Sequence, residues 1–182
     1  MIEPGDLLIA PPTMPDPRFA GTVLLLSSHN RSGSVAFALN RETDYVVNDI
    51  LDEVGLEANL PFPLYSGGPV KTSGVWLLHD PDWYTENTMM VSDAWSITSS
   101  LSMFHHFADG DMPRQFRFVH GMSSWGPQQL DMEMKGDFPW ASESSWLSLK
   151  GCDTEWVYDQ PLEALWETAT EQSGRQAVSE WL

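Results

Sequence analysis

Four groups of residues have types and spacings worth testing against known chemistry. Gly121-Met122-Ser123-Ser124-Trp125-Gly126 comes nearest to a nucleophile elbow, where glycines on either side of a serine let a strand meet a helix beneath an exposed hydroxyl. The elbow requires Gly-x-Ser-x-Gly, and one residue too many separates these glycines. The spacing instead predicts a glycine-bounded turn from Gly121 to Pro127. The single cysteine, Cys152, precedes Asp153, and a neighbouring carboxylate raises a thiol pKa, the wrong direction for a nucleophile. Gly67-Gly68-Pro69-Val70-Lys71-Thr72 is superficially like a nucleotide loop. Such a loop needs glycine directly before Lys-Ser/Thr, but Val70 stands there and Pro69 removes an amide donor. A structural Gly-Gly-Pro turn is expected, with a binding role open for its exposed amides.

His105, His106, Asp109 and Asp111 form the fourth group. His105 and Asp109 share a helix face only if the helix reaches that far, and adjacent histidines diverge by about 100° on a helix. No cysteine pair or His-Glu-x-x-His accompanies them, so neither a metal nor a cofactor is expected. With 26 acidic residues, carboxylate spacing is uninformative and most acids belong to a solvated face.

The elements that position these residues follow from patterning. Leu7–Ala10 and Gly21–Ser27 read as strands, the second apolar on both faces. A turn at His29–Gly33 and a strand at Ser34–Leu39 complete a hairpin. Asp44–Ala58 has helical spacing; Leu64–Ser66 is extended; Val75–His79 is a strand, with weaker strands at Met89–Val91 and Trp95–Ile97. Thr98-Ser99-Ser100 is predicted to cap a helix to Ala108. Arg114–His120 alternates as a strand, Gln128–Lys135 is a short helix, and Trp146–Leu149 is a last strand. Leu162–Thr170 and Gln176–Leu182 read as two C-terminal helices. This irregular interleaving predicts an α+β fold, one domain over residues 1–182, with a mixed β-sheet partly curled into a barrel and flanking helices.

Composition restricts function more than it defines it. Nine Lys+Arg stand against 26 Asp+Glu, a formal net charge of −17, spread evenly over both halves. That distribution opposes direct binding to nucleic acid, which needs clustered cations to displace counterions, and opposes adsorption to an anionic membrane. One cysteine excludes an intrachain disulfide. The N-terminus lacks the basic and apolar regions of a signal peptide, and apolar runs such as Thr22–Leu26 are too short to span a bilayer. A cytoplasmic protein is expected. The acid excess also suits a salty habitat.

Several segments, in order, resemble the bacterial YqgE/AlgH family over Gly5 to about Gly174. They are Pro12-Thr13-Met14-Pro15-Asp16-Pro17-Arg18-Phe19 with Thr22-Val23; His29-Asn30 and Asn40-Arg41; Gly67-Gly68-Pro69-Val70 with Leu78-His79; and Trp125-Gly126-Pro127-Gln128-Gln129-Leu130-Asp131-Met132-Glu133. Glu155-Trp156-Val157-Tyr158-Asp159 and Leu165-Trp166 resemble the family's terminal strand and helix. The chain departs from the family pattern at Ser27, where many members carry cysteine, at Glu42, where proline is usual, and in Met122-Ser123-Ser124 and Gln128 around Trp125. The resemblance implies a compact α+β domain with a partly barrel-like sheet. It also carries a transcriptional-regulator label, derived from members linked to alginate expression, although the chain has no helix-turn-helix with a basic recognition helix.

The expected site joins Asn40, Arg41, Gly67, Gly68, Trp125 and Gln129. Arg41 is a local positive centre whose planar fork suits a carboxylate or phosphate, glycine amides add donors, and Trp125 adds an apolar wall. The competing reading has Arg41 paired with an acid, Asn40 capping a turn and Trp125 simply packed. The residues and the resemblance together favour a noncatalytic regulatory or ligand/partner-binding protein with a small-molecule or protein partner, and the label carried by the resemblance implies that it acts indirectly on gene expression. The alternative is a small enzyme of unknown reaction using the same polar cluster.

Overall fold

The computed structural model describes residues 1–136 and 145–182. Its organising strand is β2 (Val23–Asn30), apolar at consecutive positions because both faces are covered. Val23 and Leu25 enter one core with Phe37, Trp95 and Val119, while Leu24 and Leu26 enter a second with Ala36, Trp125, Leu130 and Trp146. The period-2 geometry of a strand makes this division automatic. β1 (Leu7–Ile9) and β3 (Gly33–Ala38) flank β2 antiparallel, and β10 (Leu147–Leu149) pairs with the far side of β1.

On the other side β3 pairs with β9 (Phe116–Trp125), the longest-range organiser of the sheet. β9 also pairs antiparallel with β6 (Val70–His79) and parallel with β5 (Pro63–Ser66), which in turn carries β4 (Glu42–Val46). β8 (Ser96–Thr98) and β7 (Thr88–Met90) extend the edge beyond β6. The result is a curled, mainly antiparallel half-barrel with helices packed on it, the α+β architecture expected from the sequence. Helices α1 (Val47–Val54) and α2 (Ser102–Ala108) close a third core of Leu51, Phe104, Phe107 and Phe118. Helices α3 (Gln129–Lys135), α4 (Thr154–Tyr158) and α5 (Leu165–Trp181) complete the chain, with a 3-10 turn at Leu162–Ala164 before α5.

Five local expectations change. Gly121–Pro127 is not a turn: β9 runs through to Trp125, because both its halves find ladder partners and the irregularity at Gly121 (φ +82°) is absorbed within the strand. Residues 44–46 are strand rather than helix, since Val46 pairs with Pro63; the helix starts only at Val47, where the Asp49 carboxylate accepts from the Val46 amide at 2.8 Å. It stops at Val54, before left-handed Gly55, rather than at Ala58. The resemblance-implied terminal strand at Glu155–Asp159 is helix α4, whose Asp153 cap accepts from the Trp156 amide at 2.8 Å. The two C-terminal helices are one, because α5 runs through Gly174 while burying Leu165, Ala169 and Ser173 on one stripe. Thr98 is not a cap but a buried residue of β8, and Ser100 instead accepts from the Ser102 amide at 3.2 Å.

Candidate functional site

The Asn40-Arg41 corner follows β3 and is tied on several sides. The Leu39 amide donates to the Val23 carbonyl at 2.8 Å. The Leu39 carbonyl accepts from Arg117, whose guanidinium lies 4.5 Å from both the Tyr65 and Tyr158 ring centres. Asn40 does not face a ligand. Its Oδ1 accepts from the Val23 amide at 3.0 Å and its Nδ2 donates to the Gly21 carbonyl at 2.9 Å, clasping the chain that enters β2.

Arg41 is held by the same segment. Its Nε and Nη2 donate to Thr22 Oγ1 at 3.0 and 2.7 Å, and Nη2 also donates to the Ala20 carbonyl at 2.6 Å. One edge of the guanidinium fork is therefore occupied by protein. Among the described residues no carboxylate lies within ion-pair distance of Arg41. The competing expectation of an acid partner is thus not what holds it; neutral oxygens do.

Gly67 and Gly68 serve a close crossing rather than an open cradle. The Gly67 amide donates to the His120 carbonyl at 2.8 Å, and its own carbonyl accepts from the Ala38 amide at 2.7 Å. A Cβ on Gly67 would stand 2.2 Å from the Gly121 carbonyl oxygen. At Gly68, with φ +151°, it would stand 2.3 Å from Ser123 Oγ and 2.4 Å from the Met122 backbone. Only the absence of side chains lets this turn lie directly on β9.

Trp125 ends β9 and is 6% exposed, so it is packed rather than laid over a surface. Its indole N–H donates to Glu133 Oε2 at 2.9 Å, and Trp146 donates to the same oxygen at 3.0 Å. Gln129 Nε2 donates to Glu133 Oε1 at 3.0 Å, while its carbonyl accepts from the Gly126 amide at 3.0 Å. Gln129 thus caps the turn into α3 and braces Glu133. His29 pins α3 from the sheet, bonding Ser34 Oγ at 2.7 Å and approaching Asp131 at 3.2 Å. Phe19 packs on both indoles, edge-on to Trp146 at 5.4 Å between ring centres and nearly parallel to Trp125 at 6.5 Å.

Two adjoining clefts result. One, of about 390 Å³, is walled by Phe19, Trp125 and Trp146 with Gln129 and Glu133. The other, of about 260 Å³, holds Arg41, Gly68, Thr22 and Ser123 against apolar Leu24 and Ala38. They share Arg18, Phe19 and Pro69. Of the six expected residues, four line this double cleft, while Asn40 and Gly67 build the frame behind it. Phe19, Glu133 and Ser123 were missed. Phe19 and Glu133 lie in segments that carry the family resemblance, and Ser123 stands where the sequence offers a near-miss elbow nucleophile and departs from the family pattern. Ser123 is 1% exposed and its hydroxyl has no hydrogen-bond partner among the described residues.

Most of the ionisable groups lining the clefts are engaged in holding structure; Glu42, exposed at the edge of the second, is the exception. Asp16 is gripped by Arg18, whose Nη2 donates to it at 2.7 Å, and this lowers the carboxyl's pKa. Cys152 lies elsewhere, buried, with its thiol pushed up to about 12 by burial first and by Asp153 second. Helix α2 ends at Ala108, so Asp109 does not continue the His105 face; His106 instead bonds Asp111 at 2.8 Å. Among the described residues no His, Cys, Asp and Glu cluster has metal-holding geometry, and no helix is long and apolar enough to cross a membrane.

Comparison with known proteins gives a consistent result. An AlgH-like family model matches residues 7–178. A UPF0301 protein of Rhodospirillum rubrum is 33% identical over 93% of this chain and 86% of its own length. One from Paraburkholderia phytofirmans is 34% identical, over 91% and 85%. The solution structure of the AlgH protein from Pseudomonas aeruginosa superposes with a TM-score of 0.75 at 27% identity, covering 93% of this chain and 88% of that one. The crystal structure of Corynebacterium diphtheriae protein DIP2367, at 19% identity, shares the fold with a TM-score of 0.69, over 90% and 85%.

Proposed function

The chain belongs to the AlgH-like family, and from that premise we propose that it is a cytoplasmic, noncatalytic binding protein whose double cleft receives a small molecule or an exposed segment of a protein partner. One observation carries this reading: an aromatic wall of Phe19, Trp125 and Trp146 adjoins the Arg41 guanidinium, which no carboxylate among the described residues neutralises. Apolar area with a few convergent polar groups is the ordinary make-up of a binding site. The acid and base groups at the cleft favour binding over an enzymatic reading, because all but the exposed Glu42 are already committed. Glu133 takes three hydrogen bonds, Asp16 grips Arg18, and Arg41 is fastened to Thr22 and Ala20. An effect on gene expression would run through such binding, since a net charge of −17 repels a DNA duplex.

The indole N–H groups provide the test. In a heteronuclear NMR screen with a library of small fragments, binders are expected to move the Trp125 and Trp146 indole signals, which are bonded to one carboxylate oxygen. The other tryptophan signals should stay in place. Binders that consistently shift other tryptophans and leave these two still would refute the reading.

A further inference from the structure

We infer that the Arg41 half of the double cleft is the seat of a carboxylate head group, so that the protein's ligand class is a small monocarboxylic acid with an apolar body. This rests on the binding reading of the cleft and makes it specific.

Two independent observations meet there. The first is Arg41. Thr22 and Ala20 occupy its Nε and Nη2, which fixes the guanidinium without neutralising it. Its Nη1 has no protein acceptor among the described residues, so a charge already positioned at the wall of the cleft keeps free donors. The second is Ser123, a residue 1% exposed that lines the same cleft and whose hydroxyl has no partner among the described residues. A buried polar group left unpaired weakens the fold. A ligand oxygen accepting from this hydroxyl would satisfy it. One cationic donor and one neutral hydroxyl on residues lining one cleft match the oxygens of a carboxylate.

The surroundings select the rest of the molecule. Leu24, Ala38, Phe19 and Pro69 offer no polar side-chain group, and through Phe19 the space adjoins the indole-walled cleft. An aliphatic or aromatic body suits them. A phosphate dianion is disfavoured because Glu42 borders the same cleft and the whole chain carries −17. Each added negative charge on the ligand is opposed by that field. Arg18, which also lines the cleft, is paired with Asp16, so a monoanion is matched by the unpaired guanidinium of Arg41.

The test uses three probes of similar shape: phenylacetate, its neutral amide phenylacetamide, and phenylphosphonate, each titrated into the full chain by NMR at near-neutral pH. Phenylacetate is expected to bind at least fivefold more tightly than either comparator while moving the Trp125 indole and the backbone signals of Arg41 and Ser123. Ser123→Ala separates ligand recognition from folding. It removes an oxygen that the free protein does not use, so its melting temperature should be equal or higher. Its phenylacetate affinity should fall threefold or more, and its phenylacetamide affinity should stay within twofold. Arg41→Gln should cost phenylacetate at least tenfold. If that variant unfolds, Ser123→Ala carries the test alone. Equal binding of the amide, tighter binding of the phosphonate, or unchanged acid affinity in Ser123→Ala would each overturn the carboxylate assignment while leaving the cleft as a binding site. No shift at Trp125 or Trp146 with any of the three, where other fragments do move them, would overturn the carboxylate class alone. If no compound moves them, the cleft reading fails with it.

Discussion

At the residue scale, burial and hydrogen bonding decide which ionisable groups matter, and His79 shows this best. In the sequence it merely ends a strand before Asp80-Pro81. In the fold it is fully buried, with Nδ1 donating to the Asp80 carbonyl at 2.7 Å and Nε2 facing Thr98 Oγ1 at 2.8 Å. That arrangement fits the neutral ring, and burial lowers its pKa from the ordinary 6.5, outweighing the raising effect of Asp80. The consequence for stability has a definite sign. The unfolded chain takes up a proton near pH 6.5 that folded His79 refuses, so stability held above that pH is lost as pH falls toward the folded value. Unfolding free energies from urea titrations should drop between pH 7.5 and 5.5, by at most about 1.4 kcal/mol per pH unit for this one proton. The drop should shrink in His79→Asn; an equal drop there would assign the effect to other groups. Cys152 makes a related point. Its neighbouring acid was legible and gave the correct direction, but the larger cause, burial, was not.

At the element scale, the Gly-Gly-Pro turn and the continuity of β9 are one fact seen from two sides. Gly67 and Gly68 let their turn lie on Gly121 and Ser123, so a segment that reads as glycine-bounded coil becomes part of the ten-residue strand β9. Gly67→Ala is expected to destabilise the protein by about 1–3 kcal/mol, because backbone rather than a mobile side chain blocks the new methyl. Gly174→Ala gives the opposite sign. That glycine is exposed within α5 with nothing near its missing Cβ, so alanine should stabilise by about 0.5–1 kcal/mol. Chemical denaturation of the two variants checks both, and equal signs would refute the argument. The strands with dense apolar runs, β1 to β3, were legible because burial on both faces writes itself into consecutive residues. Helix α4 was not, since five residues and one Asp153 cap leave little periodicity to detect.

At the scale of the whole molecule, charge is the dominant property. Nine cations among 26 acids leave most carboxylates without a partner, and mutual repulsion among them opposes the compact state. Raising sodium chloride from 0.05 to 0.5 M should therefore stabilise the fold by ~1 kcal/mol, raising the melting temperature by about 2–4 °C. A flat or falling curve would show that this repulsion is already screened or locally balanced. The same charge makes an unneutralised Arg41 notable, and here the limits of sequence reading are clear. Composition and local pattern determined the α+β class, the acidic surface, the paired strands at the N-terminus and the family, because each depends on residues near one another in the chain or on their totals. The tertiary structure alone decided which groups share a cleft. Phe19, Arg41, Gly68, Ser123 and Trp125 meet only because β2, β3 and β9 lie side by side, with the glycine turn on top. It also separated Asn40 and Gly67, whose polar groups the backbone consumes, from Ser123, whose hydroxyl has no partner among the described residues. Hydrogen-bond satisfaction is a property of three-dimensional neighbours, and no spacing along the chain encodes it.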